Sequence, residues 1–150
     1  MRSPALEGER WPTLPQRPLN AIERARLAGE IVGAWARSRH AMRTLPIEAS
    51  VKRLRAPAAR GARTTATPAA REAHRLARAV VMTLRPLPGD TRCLARSLAL
   101  TRVLARRAIP STLVIGACTE PGFLAHAWVE HAGQALLDPG EGRFERLVEL

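Results

Sequence analysis

Pro110 separates two hydrophobic patterns that belong to different kinds of structure. Up to Arg107, apolar residues recur every three or four positions, the period of one face of an α-helix. From Thr112 to Ala117 (TLVIGA) they run together and include β-branched side chains, as a buried strand does. Helices first and strands after predict an α+β fold, and 150 residues suffice for one compact domain.

The helices can be placed in more detail. Asn20, with Glu23 three residues later, has the spacing of a capping box. Ile22, Ala25, Ala28, Ile31, Val32 and Trp35 follow on one predicted face, and the helix should fade near Arg43, before Pro46. Residues 46–67 hold Pro46, Pro57 and Gly61 and read as an irregular surface connection. Thr67-Pro68 opens a second helix with the stripe Ala69, Ala73, Leu76, Val80 and Leu84, stopped by Pro86, Pro88 and Gly89. A third helix spans 91–107, capped by Asp90 or Thr91, with Leu94, Ser97, Leu98, Thr101, Leu104 and Ala105 to one side. After the first strand, residues 125–131 and 134–137 form a hairpin that turns through His131, Ala132 and Gly133.

Charge is distributed unevenly along the chain. The net charge is +11, yet residues 1–90 carry +10 of it and residues 91–150 only +1. The basic half suits an acidic peptide, RNA or an anionic membrane surface, and equally a solvated face with no partner. An Arg- and Ala-rich composition also follows from GC-rich coding, so no nucleic-acid partner is expected from charge alone. No apolar run reaches the roughly 18–20 residues that span a bilayer, and MRSPALEGER has no apolar segment of the signal-peptide kind. The expected location is cytoplasmic, where two cysteines suit a thiol better than a disulfide.

Cys93 falls in the first turn of the third helix, just after a Pro-Gly break. Backbone N–H groups there lack intrahelical partners and the helix dipole is positive, so the position favours negative charge on sulfur. The same N–H groups could form an oxyanion hole. A cysteine that only fills the core fits there too. If the hairpin turns through three residues, partners sum to 264: Trp128 faces Leu136, Glu130 faces Gln134, and His126 faces Asp138. A carboxylate opposite an imidazole, with a helix-start thiol, makes a Cys93–His126–Asp138 triad: nucleophile, base and orienting group. Taken singly, His126 could be a strand histidine and Asp138 a turn residue before Pro139-Gly140. Trp128, on the His126 face, and Arg96, one turn past Cys93, are the candidate substrate-binding residues. Cys118 reads as core and His131 as a solvated turn residue. With no CxxC or HxxxH pairing, Cys93, Cys118, His126 and His131 make a poor zinc set, and no metal is expected. No phosphate-cradling Gly-rich loop is present, and no cofactor is expected.

The segment Arg92-Cys93-Leu94-Ala95-Arg96-Ser97-Leu98-Ala99-Leu100, then Leu113-Val114-Ile115-Gly116, then Phe123-Leu124-Ala125-His126-Ala127-Trp128-Val129-Glu130, then Asp138, resembles the leader peptidases of lasso-peptide biosynthesis. These B proteins have a papain- and transglutaminase-like core. The resemblance covers about residues 76–150. It implies a helical N-terminal half followed by a core in which the nucleophile, at a helix N-terminus, packs on an antiparallel sheet. The division expected is 1–67 (arm, helix and irregular basic segment) and 68–150 (peptidase core). It further implies cleavage of a leader from a ribosomally made precursor, with Cys93, His126 and Asp138 at the catalytic positions. The partners implied are that precursor, a separate small leader-recognition protein, and an ATP-dependent cyclase that closes the macrolactam. Another transglutaminase-like acyl-transfer enzyme or amidase, and a non-catalytic basic binding module, are the competing readings.

Overall fold

A computed structural model describes residues 18–55, 66–87, 93–119, 122–140 and 144–150. Four helices precede four strands: α1 (Ala21–Thr44), α2 (Ile47–Arg55), α3 (Ala66–Leu84), α4 (Cys93–Ala105), β1 (Thr112–Cys118), β2 (Leu124–His131), β3 (Gln134–Ala135) and β4 (Glu145–Glu149). The strands form one antiparallel sheet in the order β3-β2-β1-β4. This is the expected α+β architecture with a helical N-terminal part. No helix among the described residues is long and apolar enough to cross a membrane.

α1 starts where its cap dictates. The Asn20 side chain accepts from the Glu23 amide at 2.8 Å, and the Glu23 carboxylate accepts from the Asn20 amide at 2.8 Å. Two otherwise unpaired N–H groups are thus satisfied reciprocally. The buried face is Ile31, Ala34, Ser38 and Ala41; of the six residues expected to face inward only Ile31 is fully buried, and Ile22, Ala25 and Val32 are exposed, Ile22 at 65%. Ile22 lies in the first turn, beyond the reach of the core. In α3 the predicted stripe holds throughout: Ala69, Ala73, Leu76, Val80 and Leu84 are all buried.

Residues 47–55 correct the expectation of an irregular segment, for they form α2. Ile47, Val51 and Leu54 recur at helical spacing, and Val51 and Leu54 join the core. The Pro46 carbonyl accepts the Ser50 amide at 2.9 Å, so this proline begins a helix instead of only ending one. Arg55 fastens its far end, donating from Nη2 to the Ser111 carbonyl at 2.6 Å and the Leu150 carbonyl at 2.9 Å. Part of the basic charge in this half is therefore structural.

α4 is the central helix. Eight of its thirteen residues are buried, and they point to every side. A helix apolar all round must be enclosed by others. Its leucines 98, 100 and 104 share one core with Ile31 of α1, Val51 of α2, Leu76 of α3, Leu113 of β1 and Val129 of β2. Just beyond its end, Arg107 grips Glu30 of α1 with two hydrogen bonds of 2.9 and 2.8 Å, and Arg106 adds a third contact at 3.1 Å. Burial alone would raise the Glu30 carboxyl; Arg107 and then Arg106 outweigh it and hold the group below its ordinary value.

β4 was not expected. Glu145, Arg146 and Glu149 mask its hydrophobic content, and charged residues are common on an edge strand. Its pairing with β1 has an irregularity between Ile115 and Gly116.

Leu98→Ala should cost about 2–5 kcal/mol, since its side chain is fully enclosed. Ile22→Ala should stay within about 0.5 kcal/mol of wild type. Urea unfolding of both variants measures this, and equal losses would contradict the packing described.

Candidate active site

The hairpin register determines what faces His126. The turn has two residues, not three: Ala132 and Gly133 have φ of 50° and 78°, and His131 pairs with Gln134. Positive φ at both central residues is the geometry that matches the twist of paired strands. Glu130 then pairs with Ala135, and the Leu136 amide donates to the Val129 carbonyl at 2.8 Å. Partners sum to 265, one more than the sequence reading supposed, and regular pairing ends at Ala135. Asp138 is consequently not the strand partner of His126. His131, expected to be solvated in the turn, is half-buried and bonds the Pro110 carbonyl through Nδ1 at 2.7 Å.

Asp138 nevertheless meets the ring through its main chain. His126 Nε2 lies 2.9 Å from the Asp138 carbonyl oxygen. A carbonyl only accepts, so Nε2 is the donor in this contact, which in the neutral ring leaves the lone pair on Nδ1. The Asp138 carboxylate has its own partner, with Oδ1 accepting the Gly140 amide at 2.8 Å in an Asx turn. Gly140 has φ 85°, and its position is crowded by Phe144 and the His126 ring.

The alternation of β2 does place His126, Trp128 and Glu130 on one face. The Trp128 indole donates to Glu130 Oε1 at 2.8 Å, and Arg146 of β4 bonds the same carboxylate oxygen. The His126 ring stacks on Trp128 at 6.1 Å between centroids and meets Phe144 at 5.4 Å. Trp128 is only 4% exposed, so it supports the imidazole from behind and offers little surface to a substrate. Phe144 was missed by sequence reading, because no periodic pattern surrounds it. Gly116, across from His126 in the β1–β2 ladder, is packed against the same group. A Cβ there would stand 2.9 Å from Phe144 Cβ and 3.0 Å from the Trp128 ring.

One hydrogen bond sets α4 against this strand. The Val129 carbonyl points toward β3, and so does that of Ala127, two residues earlier. β3 is too short to pair with it, and Ser97 Oγ of α4 donates to it at 3.0 Å. Ser97 is 0% exposed, so both groups would otherwise be buried without partners. Cys93 lies four residues, about one helical turn, before Ser97, and His126 is the neighbour of Ala127. The bond therefore joins α4 to β2 about one turn from Cys93 and one residue from His126.

Cys93 is the first residue of α4 and half-buried; the expected caps Asp90 and Thr91 lie outside the described residues. Arg96, one turn on, has a buried Nε with no hydrogen-bond partner among the described residues. Cys118 ends β1 opposite Leu124. No group of three or more His, Cys, Asp or Glu side chains among the described residues is gathered as a metal site would require.

Residues 41–149, almost three quarters of the sequence, match the transglutaminase-like superfamily. The chain belongs to that superfamily. The match begins inside α1 and takes in α2, α3, α4 and the sheet. The microcin J25-processing protein McjB of Escherichia coli is 50% identical over 46 residues, which is 31% of this chain and 22% of that protein. The matched stretch thus spans about a fifth of that relative. No solved structure matches.

Ser97→Ala leaves the Ala127 carbonyl buried and unpaired, so a loss of about 1–3 kcal/mol is expected in urea unfolding. Unchanged stability would show that this bond does not hold α4 to β2.

Proposed function

We propose that this protein is a cysteine peptidase that removes the leader from a ribosomally made precursor of the lasso-peptide type. The observation that supports the reading is the Ser97–Ala127 bond, which joins α4 to β2 about one helical turn from Cys93 and one residue from His126. The His126 tautomer fits the role as well, with Nε2–H occupied and the Nδ1 lone pair kept for a thiol proton. The superfamily and the likeness to a microcin-processing protein support the substrate class.

The chemistry runs in two halves. His126 takes the Cys93 proton, and the sulfur attacks a peptide carbonyl carbon. Negative charge builds on the carbonyl oxygen, where the unpaired N–H groups of the first turn of α4 can stabilise it. The C–N bond breaks, the leaving amine takes the proton back from the imidazolium, and the leader remains as a thioester on Cys93. Water, deprotonated by His126, then attacks the thioester, releasing a leader carboxylate and the thiol. Asp138 holds the ring through its main-chain carbonyl, while Trp128 and Phe144 pack against it. Arg96, whose Nε has no partner among the described residues, is proposed to donate to a substrate carbonyl or carboxylate. A leader-recognition protein and a macrolactam-forming cyclase are the proposed partners, acting before and after this step.

Cys93→Ala should abolish cleavage and keep the fold, His126→Ala should be nearly inactive, and Cys118→Ala should remain active. Mass spectrometry of precursor incubated with each variant and a recognition partner reads this directly; robust cleavage by Cys93→Ala would sink the mechanism. If the products instead carry a new amide in place of a free carboxylate, the chain is an acyl-transfer enzyme using the same groups.

Asp138→Asn makes a sharper test of the orienting contact. A side-chain amide can still close the Asx turn, and the main-chain carbonyl is unchanged. The rate should therefore fall far less than the roughly 10⁴-fold loss seen when a triad carboxylate that holds the histidine is replaced. A fall of that full size in single-turnover kinetics would mean that the carboxylate itself turns to the imidazole during catalysis.

A further inference from the structure

Several arginines of the described residues are engaged by the fold. Arg75, Arg106, Arg107 and Arg146 each bond a glutamate, and Arg55 bonds two carbonyls. Arg37, Arg53 and Arg102 have no carboxylate partner among the described residues, and they line one cavity of about 590 Å³ between α1, α2 and α4. Gly33, His40 and Leu54 complete much of its wall, and no acidic residue lines it. Gly33 lets Arg37 fold back across α1, its Nη1 lying 3.0 Å from where a Cβ would stand. Arg102 bonds only the Leu54 carbonyl, at 3.4 Å. Burial and the nearby charges of Arg37 and Arg106 push its guanidinium down, and Glu30, which opposes this, is already held by Arg106 and Arg107.

We propose that this cavity is an exosite for carboxylate side chains, occupied by an acidic segment of the peptide substrate. Converging guanidinium groups suit carboxylates, which they bind two-pronged. No Phe, Tyr or Trp lines the cavity, so it lacks the stacking surface typical of single-stranded nucleic-acid sites. Nine residues separate Arg102 from Cys93. At 1.5 Å and 100° per residue, that is about 13 Å along α4 and half a turn around it. An extended peptide covers about 3.3 Å per residue, so the acidic segment lies at least about five residues from the cleaved bond. The identity of the occupant rests on the peptidase reading; the carboxylate site itself does not.

The test is fluorescence anisotropy with labelled hexaglutamate on the full chain. Arg37→Gln/Arg53→Gln removes two exposed charges from the cavity without touching the core. Arg24→Gln/Arg26→Gln removes the same net charge from exposed positions elsewhere on α1. The cavity pair should weaken binding about three- to tenfold, and the control pair less than twofold. Equal weakening by both pairs, no saturable binding, or tighter binding of an oligouridine through the same arginines would each overturn the site. A second arm measures precursor cleavage. Replacing leader carboxylates with amides should raise KM for wild type and leave KM unchanged for the cavity pair. If both enzymes respond alike, the occupant is wrong. If no precursor is cleaved yet hexaglutamate binding still follows the cavity arginines, the peptidase reading fails while the carboxylate site stands.

Discussion

Enclosing α4 from every side imposes conditions on the rest of the chain. Its neighbours must present apolar faces, and α1, α2, α3 and the sheet each contribute to the core around it. Its own polar groups must find partners inside. Thr101 Oγ1 donates to the Ser97 carbonyl at 2.9 Å, and Ser97 Oγ reaches the Ala127 carbonyl that the short β3 leaves open. The second bond fixes the helix lengthwise against β2. Cys93 lies one turn before Ser97 on α4, and His126 is next to Ala127 on β2. A reactive thiol at a helix start is useful only when a base is held near it, and the proposed pairing of Cys93 with His126 relies on the contact that satisfies this buried serine.

Electrostatics follows a similar division of labour. The +11 net charge suggests a uniformly basic surface, yet much of it is engaged. Arg106 and Arg107 tie the end of α4 to Glu30, Arg55 ties α2 to the ends of β1 and β4, and Arg146 bonds the carboxylate that also receives the Trp128 indole. Among the remainder, Arg37, Arg53 and Arg102 stand apart because they line one cavity between α1, α2 and α4. Net charge by itself would not have located it.

Elements with strong local signals were legible in the sequence. The Asn20–Glu23 cap and the α3 stripe each encode a helix within a few residues, and the helix-to-strand change at Pro110 gave the fold class. α2 was obscured because prolines at 46 and 57 drew attention away from Ile47, Val51 and Leu54. β4 was obscured because its pairing with β1 is long-range and its sequence is half charged. The positions of Cys93 at a helix start and of His126 on a strand were legible in the sequence. The contact to Asp138 was not. One residue in the turn changes every facing pair, and the two-residue turn depends on Ala132 accepting a positive φ that its side chain does not advertise. Main-chain contacts such as His126 to the Asp138 carbonyl leave no side-chain signature at all.

The central claim is that Cys93 and His126 act as a pair. Both cysteines are half-buried, so exposure alone gives neither a clear advantage. The direct measurement is the rate of alkylation by limiting iodoacetamide at pH 7, mapped to each cysteine by peptide mass, in wild type and in His126→Ala. A free thiol is only a few per cent ionised at that pH, so an activated one should react about tenfold faster or more. The account predicts such an excess for Cys93 over Cys118 in wild type and its loss in His126→Ala. Equal rates at the two cysteines, or an excess at Cys93 that survives the loss of His126, would contradict it.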